Sequence, residues 1–242
     1  MRFSREFFAL NFAFVDQVAA VLARPWPELL LDYTHTYRRF RLGTVLDPHH
    51  PVWLQFLDGV CQAGDRAGYA HQFHLERERM AGPLKRELAF GCFSYELERE
   101  GNRTIVRIHF ANLGGEENGP LSRANWPQRQ AELAEMFSHA RQAQPTQVIG
   151  ASWLYNLPAY RRLFPPAYTA HLTPCPPDFP MLALWGQFLD HQGQVRVDLA
   201  RTFMERIQKA RNMEDLAHAF PYMVLKASAE IEVFDAHYRI RS

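Results

Sequence analysis

The chain has 242 residues, 47% of them hydrophobic and 13% aromatic, so it can bury a sizeable core and is unlike disordered proteins. Lysine and arginine number 27 against 26 acidic residues, and the resulting charge of +1 argues against nucleic acid or an acidic membrane as the main partner. The three cysteines, Cys61, Cys92 and Cys175, lack CxxC spacing and favour a reducing compartment over a disulfide framework.

Residues 1–82 are predicted to form a helical segment. Apolar residues recur there at three- and four-residue steps on one helix face: Phe7, Leu10, Phe14, Val18 and Val21. The run resembles the core of a secretory signal, but it is interrupted by Asn11 and Asp16 and is too short and polar for a membrane span. We therefore expect a buried amphipathic helix in a cytoplasmic protein. Further helices are predicted from Glu28 to Phe40 and from Pro51 onward.

Residues 83–199 are predicted to contain the sheet. Two strand-like runs are joined by Glu100-Gly101-Asn102, which indicates a hairpin, and alternation in the second run places Arg107 and His109 on one face. An amphipathic helix ending near Gln144 follows, with an apolar stripe of Ala131, Leu133, Ala134, Phe137 and Ala140. A strand from Val148 comes next, and then two more, around Tyr168 to Thr173 and Met181 to Leu189.

Residues 200–242 are predicted to be helical, with two helices separated near Pro221. The pattern as a whole favours an α+β fold, with a mostly antiparallel, mixed sheet, a crossover helix, and helical segments at both ends. We expect the three segments to form one compact body.

Several residues carry candidate chemistry. His109 ends a central strand beside a glycine-bearing loop, and imidazole suits proton transfer near neutral pH; the alternative is a strand histidine with local hydrogen bonds. Ser152 and Tyr160 are candidates for catalysis or for packing. Ser152 has no GxSxG surroundings, which argues against a serine hydrolase, and Tyr160 on a short helix could donate a proton. His71 and His74 share a helix face but have no recognisable third ligand, so we expect no metal.

The segment from about Thr104 to Phe164 resembles an uncharacterised bacterial family with a GNAT-like (N-acetyltransferase-fold) acyltransferase domain. The resemblance rests on Ile108-His109-Phe110, Gly119-Pro120-Leu121, Ala134 with Phe137, and Ser152-Trp153-Leu154-Tyr155. Asn156 with Ala159 is similar to the Asn-x-x-Ala helix start of many N-acetyltransferases.

This resemblance implies a splayed sheet that holds acyl-CoA between two parallel strands. It places His109 on the strand that flanks the cleft and Ser152 on the neighbouring strand. With Tyr160, whose hydroxyl could donate a proton, these are the predicted catalytic residues. Cofactor contacts are expected from the following residues: Asn112, Gly114, Gly115, Gly119 and Asn156. The usual Gln/Arg-x-x-Gly-x-Gly/Ala loop is absent, and Leu163-Phe164 stands where the family has a tyrosine. Two functions are therefore open: transfer of an acyl group from CoA to a small amine or alcohol, or a non-catalytic scaffold that binds a protein or a small apolar ligand.

Overall fold

The computed structural model describes residues 3–81, 88–113 and 118–240. These residues form two compact units, each built from separate parts of the chain. We call residues 88–113, 118–176 and 223–240 the sheet unit, and residues 3–81 with 177–222 the helical unit.

Helices and strands are numbered in chain order. The helices of the described residues are α1 (Arg5–Leu22), α2 (Trp26–Tyr33), α3 (Thr36–Arg39), α4 (Pro51–Gln62), α5 (Arg66–Ala81), α6 (Trp126–Ala140), α7 (Pro158–Arg161), α8 (Pro166–Thr169), α9 (Leu182–Trp185), α10 (Val197–Ile207), α11 (Met213–His218) and α12 (Ile231–Tyr238). The strands are β1 (Ala89–Phe90), β2 (Phe93–Glu100), β3 (Arg103–Phe110), β4 (Gln147–Ser152), β5 (Thr173–Pro174) and β6 (Leu225–Glu230). Short 3-10 turns lie at Arg141–Ala143, Trp153–Asn156 and Gly186–Phe188.

The helical unit is organised around aromatic side chains. Four of the five residues on the predicted face of α1 are buried, namely Phe7, Leu10, Phe14 and Val18, whereas Val21 is only partly buried. Phe14 packs edge-on against Trp185 of α9 at 5.6 Å between ring centroids and against Phe220 at 5.3 Å. Such contacts bury a large apolar area for each residue. They stabilise a unit that contains none of the six numbered strands.

The sheet unit contains one mixed six-stranded sheet with the order β1-β2-β3-β4-β6-β5. Its neighbours are antiparallel except β3 and β4, which are parallel and have α6 between them in the chain. The predicted hairpin is confirmed: Glu100 pairs with Arg103, and Gly101 has the positive φ of 58° that such a tight turn requires.

One face of the sheet carries the core of this unit. Val106, Val148 and Ala227 are buried there under Phe137 of α6 and Phe234 of α12, whose rings lie 4.5 Å apart. The α+β class is therefore correct, with a single mixed sheet covered by helices.

Five local predictions are wrong. The single helix predicted before Pro221 is broken into α10 and α11. The predicted helix from Glu28 to Phe40 is broken into α2 and α3. Residues 168–173 and 181–189, predicted as strands, contain α8 with only the short β5, and α9 with a 3-10 turn. Residues 225–230, predicted as helix, form β6 between β4 and β5, because pairing on both edges outweighs the helical preference of its alanine, lysine and glutamate.

The boundaries of the two units differ from the boundaries of the three segments predicted from the sequence. Residues 177–199 lie with the N-terminal helices, and residues 223–240 lie with the sheet. Residues 223–240 belong to the sheet unit because β6 pairs with β4 over six residues and α12 follows β6 directly in the chain.

Candidate active site

The parallel strands β3 and β4 separate partway along their length. They pair at three positions, Ile105 with Gln147, Val106 with Val148 and Arg107 with Ile149. Each strand then continues for three residues, to Phe110 and to Ser152, beyond the last pair. The sheet therefore contains a gap between the carboxyl ends of its two parallel strands.

The alternation of backbone groups shows which atoms face this gap. Ala111 N–H donates to Cys92 C=O at 2.8 Å, so the odd-numbered residues of β3 turn their backbone groups toward β2 and the even-numbered ones toward β4. Ile231 N–H donates to Thr146 C=O at 3.1 Å, so the odd-numbered residues of β4 face β3. The groups at the gap are accordingly the C=O of Ile108, the N–H of Phe110 and the backbone of Ala151.

On the apolar face, the gap is closed by two tyrosine hydroxyls. Tyr155 and Tyr168 are buried, and their oxygens are 2.7 Å apart. A Cβ placed on Gly150 would lie 2.2 Å from Tyr155 Oη, 2.6 Å from Tyr168 Oη and 3.1 Å from Ile108 Cγ1. Burial raises the pKa of both hydroxyls well above the usual value, so both remain protonated.

On the opposite face, the same strands carry charged side chains. Arg107 binds Glu98 through both guanidinium edges, with Nη2 donating to Oε2 at 3.0 Å and Nε donating to Oε1. This hydrogen bond lowers the pKa of Glu98 and raises that of Arg107. His109 Nε2 lies 3.5 Å from Glu96 Oε2 and has no hydrogen-bond partner among the described residues.

The three predicted catalytic residues occupy different surroundings. His109 lies on the same face of its strand as Arg107, as the alternation predicted, whereas Ser152 follows Gly150 on the alternate positions that face the core. Ser152 Oγ accepts a hydrogen bond from Leu154 N–H at 3.1 Å and so begins the 3-10 turn. Tyr160 is buried among Phe110, Tyr155 and Phe164, where burial raises its pKa well above the usual value. The sheet thus separates His109 from the other two.

The predicted cofactor-binding residues are described only in part. Gly114 and Gly115 lie outside the described residues, and Asn112 is half-buried directly after β3. Gly119 has a φ of 75°, and its carbonyl accepts a hydrogen bond from Asn125 Nδ2 at 2.9 Å. Asn156 Nδ2 donates to Trp153 C=O at 2.7 Å and to Met223 C=O at 2.8 Å. Asn156 therefore links the turn after β4 to the chain before β6.

The histidines and cysteines are also placed by the fold. His74 has no exposed surface, packs against Phe3 and Phe8, and burial lowers its pKa to about 4. No group of three or more His, Cys, Asp and Glu side chains within the described ranges could hold a metal ion. No disulfide joins the three described cysteines, of which Cys61 is exposed, Cys175 half-buried and Cys92 buried.

A buried polar cluster on α6 was missed by sequence reasoning. Arg129 is 1% exposed; its Nη2 donates to Glu132 Oε1 at 2.7 Å and its Nη1 contacts Cys92 Sγ. Glu132 Oε2 accepts a hydrogen bond from Cys92 N–H at 3.0 Å. The available signal was spacing, because Arg129 and Glu132 fall on the same helix face as Leu133 and Met136.

Within the described ranges, no single helix has both the length and the apolarity needed to cross a bilayer; α1 and α2, bent by 117°, meet that criterion only as a pair. Searches against protein-family models, curated proteins and solved structures found no match to this chain.

Proposed function

We propose that the protein is a GNAT-like acyltransferase that moves an acyl group from acyl-CoA to an amine or alcohol in the cytoplasm. The observation that supports this function is the gap between β3 and β4, which leaves backbone N–H and C=O groups facing an opening in the sheet. The family resemblance implies such an opening as the place where the thioester lies. The parallel pair β3 and β4, with α6 between its strands in the chain, supports the same proposal.

In this proposal, the gap polarises the thioester and His109 removes a proton. The N–H of Phe110 or Ala151 donates a hydrogen bond to the thioester carbonyl oxygen, where negative charge develops. The acceptor nitrogen or oxygen forms a bond to the carbonyl carbon, and the C–S bond breaks with its electron pair on sulfur. His109 takes the proton lost by the acceptor, and the CoA thiolate takes a proton from solvent.

Calorimetry with free CoA, acetyl-CoA, butanoyl-CoA and octanoyl-CoA tests the proposal. We expect at least one acyl-CoA to bind with a dissociation constant below a millimolar concentration, and free CoA to compete with it. Absence of binding for all four ligands at millimolar concentration would overturn the proposal.

A backbone variant makes this test specific to the gap. Ala151→Pro removes an N–H that faces β3, whereas the hydrogen bonds from β4 to β6 come from its even-numbered residues. We expect Ala151→Pro to weaken acyl-CoA binding at least tenfold, while Ala151→Val, which keeps the N–H, retains it. Circular dichroism of both variants checks that the sheet is intact.

An apolar cleft in the helical unit favours a second function, the binding of a small apolar ligand by a non-catalytic scaffold. The cleft has a volume of about 530 Å³ between α1 and the region around α10, and Glu6 and Arg201 are among its lining residues. Its apolar lining consists of Ala9, Leu10, Val195, Val197, Ala200 and Met204.

Binding of the fluorescent probe anilinonaphthalene sulfonate distinguishes this second function from acyl transfer. If the cleft is the ligand site, the probe binds, Met204→Trp reduces its binding by filling the space, and CoA leaves the melting temperature unchanged. Equal probe binding by Met204→Trp and the parent protein would contradict the cleft as the ligand site.

A further inference from the structure

We infer that the hydroxyl pair of Tyr155 and Tyr168 determines which acyl groups the gap accepts, and that it restricts them to short chains. This inference rests on the proposed function, because it concerns the acyl group held between β3 and β4. Neither tyrosine was among the catalytic or cofactor-binding residues predicted from the sequence. They follow from the atoms that surround Gly150.

The apolar face is the natural place for an alkyl chain, and at the gap it is already filled. Tyr155 Oη, Tyr168 Oη and Ile108 Cγ1 converge above Gly150 so closely that even one added carbon would lie 2.2, 2.6 and 3.1 Å from them. Contacts shorter than about 3 Å cannot be accommodated without movement of the surrounding side chains.

Both tyrosine rings are held in place by their neighbours. Tyr168 meets Phe234 edge-on with centroids 4.9 Å apart, and Tyr155 meets Tyr160 in the same way at 5.2 Å. Neither ring has room to swing aside without disturbing the core of the sheet unit. The hydroxyls of Tyr155 and Tyr168 therefore hold fixed positions where they close the gap on the apolar face.

The opposite face offers an alkyl chain a poor alternative. The residues of β3 beside the gap on that side are Arg107, which binds Glu98, and His109, which lies near Glu96. A chain placed there would displace water from charged groups, which costs free energy unless new hydrogen bonds replace it. A short acyl group limits both problems, because an acetyl group places only one methyl carbon beyond the thioester carbonyl.

The experiment compares chain-length preference between the parent protein and variants of the pair. In calorimetry, the parent is expected to bind acetyl-CoA at least tenfold more tightly than octanoyl-CoA. Tyr168→Leu removes one hydroxyl and part of a ring, so we expect it to shift the ratio toward octanoyl-CoA at least tenfold, which corresponds to burial of about two methylene groups.

Two further variants keep the test decisive. Tyr155→Phe/Tyr168→Phe removes both oxygens and leaves both rings, so it is expected to shift the ratio in the same direction even if Tyr168→Leu fails to fold. Tyr238→Phe is the matched control: Tyr238 is partly buried against the core of the same unit, but its hydroxyl donates to Leu163 C=O at 2.7 Å. It should leave the ratio unchanged.

Each outcome has a separate meaning. If the parent binds acetyl-CoA and octanoyl-CoA equally, or if the folded pair variants keep the parent's ratio, the inference is overturned and the acyltransferase proposal stands. If the parent binds no acyl-CoA at all, both are overturned.

Discussion

Gly150 is the residue at which the fold and the proposed site meet. It lies on β4 one position beyond the last residue paired with β3, and its missing side chain leaves the space that the hydroxyls of Tyr155 and Tyr168 occupy. Any larger residue would push against two side chains that are themselves buried. The position therefore requires glycine for space, without any need for an unusual backbone angle.

Gly150→Ala is expected to lower the free energy of unfolding by about 1–3 kcal/mol, the usual cost of overpacking a filled core. Urea denaturation followed by tryptophan fluorescence measures this change. Gly64→Ala serves as the control, because a Cβ at Gly64 would meet no atom within 4 Å in the described part of the chain. Equal stability of the two variants would show that the tyrosine hydroxyls move aside easily.

At the scale of the element, α6 buries both an apolar stripe and a pair of charged residues on the same face. Leu133, Phe137 and Ala140 of its predicted stripe are buried, but Ala131 is exposed, and the buried face also includes Arg129 and Glu132. The ion pair between Arg129 and Glu132 is part of the packing of α6 against the chain at Cys92, just before β2. Such a pair costs desolvation but is strongly destabilising to break, because the partner left behind keeps its buried charge.

Glu132→Leu is expected to lower the free energy of unfolding by about 3–5 kcal/mol, since it removes the carboxylate from Arg129 and the acceptor from Cys92 N–H. The control is Glu135→Leu on the exposed side of α6, which should change stability by about 0.5 kcal/mol or less. Thermal or urea denaturation of both variants checks the difference. A small effect at Glu132 would mean that Arg129 finds full compensation elsewhere.

At the scale of the whole molecule, buried histidines link stability to pH. Burial lowers the pKa of His35 to about 3 and that of His74 to about 4, against an ordinary value of 6.5. The unfolded chain therefore binds more protons than the folded chain between these values. The free energy of unfolding consequently falls as the pH drops below about 6.5, and this contribution stops changing near pH 3.

His74→Phe is expected to reduce the loss of stability between pH 6 and pH 4 by up to about 1.4 kcal/mol per pH unit, the amount linked to one titrating group. At pH 7 the variant should be about as stable as the parent, because His74 lies among the aromatic rings of Phe3 and Phe8, where a phenyl ring also packs. Urea denaturation at several pH values measures the slope. His49→Gln, at an exposed position, should leave the slope as it is; the same slope in His74→Phe would contradict the prediction.

The sequence by itself determined the elements whose signal is local. The apolar period of α1, the glycine turn between β2 and β3, and the amphipathic pattern of α6 each depend on residues within a few positions of one another. These signals were enough for the α+β class and for placing His109 on the same face of its strand as Arg107.

Only the tertiary structure decided the features that depend on distant residues. Residues 225–230 favour helix locally and become β6 because β4 and β5 offer hydrogen bonds on both edges. The end of the β3–β4 ladder, the hydroxyls above Gly150 and the separation of His109 from Ser152 and Tyr160 likewise join residues far apart in the chain. No local sequence pattern indicates such contacts, because they depend on which surfaces pack together once the core has formed.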